Sequence, residues 1–147
     1  MSVFKEVMWS GVLGLGFEIS IWKRQDGRQR VLCVKLSGKY WMGPGSPEGG
    51  VFIAMIVGAA MANPRGSCQG FVLDLRELEY PGGDMLFYWR DVLNRFKLPA
   101  EGYGLTLVCS DANRARVQSL IEDEERTELR LALSVEEAVE CILGGMG

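Results

Sequence analysis

Asp74, Glu77, Glu79 and Asp84 crowd one short stretch of the chain, within Gly70 to Phe96, GFVLDLRELEYPGGDMLFYWRDVLNRF. Neighbouring carboxylates are the raw material of general acid–base catalysis when the backbone brings two of them to one point. No helical spacing forces such a pair here. Asp74, Glu77 and Glu79 fit a strand end and its solvated loop, and Asp84 opens the helix that follows. The turn Pro81-Gly82-Gly83-Asp84 holds no nucleophile and no obvious metal-ligand set. Histidine is absent from the whole sequence, which removes Ser-His and Cys-His pairs and His-ligated zinc and leaves only carboxylate, lysine or tyrosine acid–base chemistry. The expectation is a binding module, not an enzyme.

The other chemistry-bearing residues point the same way. Cys33, Cys68, Cys109 and Cys141 are far apart with no C-x-x-C spacing, so a four-cysteine zinc site has no paired ligands. Three of them sit in apolar runs (VLCVKL, LTLVCS, VECIL), where cysteine behaves as a small buried hydrophobe. Free thiols in a reducing cytoplasm are expected, with disulfides as the alternative. Lys23, Arg24, Arg28 and Arg30 cluster around a D-G turn and read as a solvated hairpin tip, against a phosphate-binding patch as the sharper reading. With a net charge of −3 the chain has no global basic field, so no nucleic-acid partner is expected. Neither a metal nor another cofactor is implied.

These residues must be positioned by elements. The 147 residues, 48% of them hydrophobic, suit one domain with a real core. Phe17 to Lys23 (FEISIWK) alternates apolar and polar residues, and with Arg30 to Leu36 it predicts an antiparallel hairpin ended by Ser37-Gly38. The apolar run Val7 to Phe17 follows Lys5-Glu6, is followed by Glu18 and lacks a cleavage pattern, so a secretory signal is not expected there. Lys39 to Gly50 is a Gly/Pro-dense loop carrying Tyr40 and Trp41; its glycines fit neither a dinucleotide fingerprint nor a Walker A loop. Val51 to Asn63 predicts a helix covered on most sides, and its uncharged stretch falls short of the roughly 20 residues of a membrane span.

Phe71 to Leu75 is a short apolar strand of the kind buried on both faces. Asp84 to Phe96 then forms a helix with Met85, Tyr88, Trp89, Val92, Leu93 and Phe96 on one stripe. Gly104 to Cys109 is the next buried strand. Ser110 or Asp111 caps a helix over Ala112 to Glu122, whose apolar positions are Val117, Leu120 and Ile121. The acidic run Glu122 to Glu125 is a solvated helix end, with a partner contact as the alternative. Leu129 to Leu133 is a last strand, and Ser134-x-x-Glu137 is a capping box opening a final helix, Val135 to Leu143. The fold class is therefore α/β: a mixed, mostly parallel sheet with an N-terminal β-hairpin and about four helices.

From Phe17 to Leu143 the order and spacing resemble the STAS domains, the family of anti-sigma-factor antagonists (SpoIIAA-like proteins). The opening hairpin, the VLDL strand with its turn and helix, the GLTLVCSDANRARVQSLIE strand–helix unit and the ending LALSVEEAVECI carry the likeness. It implies a single STAS-like domain over residues 1–147, with a core at about 17–143. In typical members the turn after the central strand reads Asp-Ser-Ser/Thr-Gly-Leu, and its second hydroxyl residue is phosphorylated by a partner kinase. Here Gly82 falls on the motif's Asp, Gly83 on its first Ser, Asp84 on the phosphorylated position, Met85 on the Gly and Leu86 on the Leu; only the Leu is retained. Phosphoswitching at this turn is not expected. Asp84 is read as a helix N-cap, or alternatively as a fixed negative charge that partly mimics phosphoserine.

The resemblance implies a non-catalytic regulatory domain that binds another protein, a kinase-like anti-sigma factor or other signalling domain, or a second copy of itself, in the cytoplasm. The partner-binding residues would be Tyr80, Gly82, Gly83, Asp84 and Leu86, with Tyr40 and Trp41 beside them. The alternative is a STAS-like domain that binds a small ligand, a nucleotide or a lipid.

Overall fold

The computed structural model describes residues 3–12, 16–24, 29–39, 70–79, 104–123 and 130–144. Six strands form one sheet in the order of the sequence: β1 (Val3–Val12), β2 (Gly16–Arg24), β3 (Arg30–Lys39), β4 (Gly70–Glu79), β5 (Gly104–Val108) and β6 (Arg130–Ala132). Two helices are described, α1 (Asp111–Asp123) between β5 and β6 and α2 (Val135–Gly144) after β6. The class is α/β with a mixed sheet, as the alternation of patterns predicts. The expected helices over 51–63 and 84–96 lie outside the described residues.

Three differences from the sequence reading bear on the site. First, β1 is an additional strand, antiparallel to β2, so the N-terminal unit is a three-stranded antiparallel ribbon and not a hairpin. The parallel pairings are β3–β4, β4–β5 and β5–β6. Lys5–Glu18 and Lys23–Glu6 ion pairs bridge β1 to β2. The charges at positions 5 and 6 break the apolar alternation that would have marked the strand.

Second, β3 does not stop at Ser37-Gly38. It continues to Lys39, and Gly38 takes a φ of 92°, a backbone region that residues with a Cβ avoid. Third, β4 runs beyond Leu75 to Glu79, with its register against β3 shifted between the Lys35–Asp74 and Ser37–Glu77 pairs. That shift is a β-bulge, one extra residue on β4 opposite Leu36.

Side chains alternate across the sheet, so each face draws on every second residue. One face carries Val31, Cys33, Val72, Val108 and Ala132, and α2 covers it with Val135, Ala138, Val139, Ile142 and Leu143. Those α2 positions follow the 3- and 4-residue spacing of a single helical stripe. Leu32, Val34, Leu36, Phe71, Leu73, Leu75 and Leu107 are buried on the opposite face. On α1, Val117, Leu120 and Ile121 are buried, as their spacing predicts. The Ser134 hydroxyl accepts the Glu137 backbone N–H at 3.1 Å, so Ser134 caps α2 at the position its sequence signature predicts.

No helix among the described residues is long and apolar enough to cross a membrane.

Candidate functional site

Strands β3, β4 and β5 are parallel, so their C-terminal ends share one rim of the sheet, the usual place for sites in α/β folds. Strand β5 stops at Val108, paired with Asp74, while β4 and β3 run on together to the Lys39–Glu79 pair. Beyond Asp74, one flank of β4 therefore has no strand beside it among the described residues, and its backbone groups need other partners.

Asn113 supplies them. Its side-chain amide donates to the Leu75 carbonyl at 2.8 Å and to the Leu78 carbonyl at 3.2 Å. Its amide oxygen accepts the Ser110 backbone N–H at 3.0 Å, and the Ser110 hydroxyl accepts the Asn113 backbone N–H at 3.2 Å. Of the two cap residues the sequence leaves open, Ser110 is the one that caps α1. Asn113 is 3% exposed, and its two bonds to the β4 carbonyls are buried, where water cannot replace them. One side chain thus ties the start of α1 to the overrunning end of β4.

Asp74 anchors the other side of the rim. It is 2% exposed, which corrects its reading as part of a solvated strand end; Glu77 and Glu79 are exposed as expected. Its carboxylate accepts Arg76 Nε at 3.0 Å, Arg76 Nη2 at 2.9 Å and the Arg76 backbone N–H at 3.1 Å. A carboxylate buried in an apolar strand requires such compensation, and the two-toothed Arg fork satisfies both oxygens. The pairing raises the Arg76 pKa, chiefly through the hydrogen bond to Asp74, so the guanidinium stays charged at all ordinary pH values. Glu77 pairs with Lys35, and that hydrogen bond likewise raises the lysine pKa.

Between these anchors lies an open cleft of about 550 Å³, lined by Lys39, Arg76, Glu77, Leu78, Glu79, Ser110, Ala112, Asn113 and Arg116. Its walls are the ends of β3 and β4 and the first turns of α1. The residues expected to bind a partner, Tyr40, Trp41, Tyr80, Gly82, Gly83, Asp84 and Leu86, lie outside the described residues. The strands from which those segments continue end in the register pair Lys39–Glu79, which forms part of the cleft wall.

Cys33 and Cys109 show no activation. Burial pushes Cys33 up to about 12 and Cys109 up to about 11, the direction opposite to that of a nucleophile. Among the described residues no cluster of three or more His, Cys, Asp or Glu side chains is placed to hold a metal ion.

Asn113 and Arg76 are the site residues that sequence reasoning passes over, although both left a signal. Asn113 is a polar residue on the 113/117/120/121 stripe of α1, and Asp74 sits inside an apolar run read as buried on both faces; each position demands a partner. Compared with known proteins, the chain matches no protein-family model and no curated protein.

Proposed function

We propose that this chain is a non-catalytic, STAS-like regulatory domain that binds another protein through the C-terminal rim of its sheet. The observation that carries the reading is the Lys39–Glu79 pair at the wall of the cleft. The segment bearing Tyr40 and Trp41 and the segment bearing Tyr80 to Leu86 both continue from that pair. Two stretches nominated for contact on sequence grounds thus follow in the chain from paired residues at the wall of the cleft, which Arg76 and Asn113 also line. The elements on which the STAS resemblance rests also support it: the β2–β3 hairpin, the VLDL strand, the β5–α1 unit and the Ser134-capped last helix.

A pull-down from the native host with wild type, Asp84→Arg and Arg116→Glu tests the reading. A specific protein captured by wild type and lost in both variants supports it; capture unchanged in both places the interface elsewhere. A second reading, a small-ligand domain, draws on the cleft volume, which is in the range of about 300–1,000 Å³ typical of small-molecule sites. Thermal-shift screening against nucleotides and lipids separates the two.

A further inference from the structure

We draw no further inference here: the strongest candidate, the outer edge of β1 with the exposed side chains of Phe4 and Val7, carries none, because nothing in the structure shows what pairs with it, and Lys5 and the bulge between Val7 and Trp9 are features that blunt a strand edge.

Discussion

Asp74 and Arg76 show how a single buried charge organises its surroundings. Removing the arginine strands a carboxylate that is 2% exposed. Breaking a fully buried pair costs about 3–5 kcal/mol, but Arg76 is partly solvated and water can follow a shortened side chain inward. Arg76→Met should therefore destabilise the fold by about 1–3 kcal/mol in urea melts, and adding Asp74→Asn should recover part of that loss. A double variant no more stable than Arg76→Met alone would show that the pair is not a unit. Asn113 carries more bonds for its size. Asn113→Ala leaves two strand carbonyls and the Ser110 N–H without their partner, at a cost of about 2–4 kcal/mol. Asn113→Asp should be at least as damaging, because a carboxylate cannot donate to the Leu75 and Leu78 carbonyls. Its melting temperature below that of Asn113→Ala would confirm donation as the essential role.

At the scale of elements, the signals that survived from sequence to structure are those that act locally. Ser134 and Glu137 mark the start of α2, and the apolar stripe of α2 marks the face it buries. Ser134→Ala should cost about 1 kcal/mol, measured as a lowered urea midpoint. Gly38→Ala tests the end of β3: its φ of 92° penalises any Cβ by about 1–2 kcal/mol. What was not legible depends on neighbours far along the chain. Strand β1 is held by ion pairs to β2, which no alternation within its own residues reveals. Strand β4 outruns the apolar FVLDL because β3 continues beside it and Asn113, 35 and 38 residues away from its two acceptors, covers its far flank. The absence of histidine narrows the acid–base chemistry open to the site, but the cleft itself combines three elements and no local motif announces it.

For the whole molecule, the two buried thiols make stability sensitive to alkali. A free thiol titrates near 9.0, whereas burial holds Cys33 at about 12 and Cys109 at about 11. Below pH 9 both states keep the proton and stability is unaffected. Above it the unfolded chain ionises while the folded chain cannot, and stability falls from pH 9 up to about 12, by as much as about 1.4 kcal/mol per pH unit for Cys33. The urea midpoint of wild type relative to Cys33→Ala should be constant from pH 7 to 8.5 and decline above 9; a flat difference through pH 10.5 would contradict the burial. The bulge in β4 sets a rule of a different kind. Up to Asp74, even-numbered residues of β4 look toward α2; from Glu77 onward, odd-numbered ones do. The extra residue is a phase shift that lets Leu78 rejoin the apolar side of Leu73 and Leu75 while Glu77 and Glu79 stay with Lys35 and Lys39. Deleting one residue at 75–76 would remove the bulge and leave Glu77, Leu78 and Glu79 on their present sides. A β4 that kept both residues in regular alternation would instead send Leu78 to the side of α2 and both glutamates to the apolar side, turning the rim inside out.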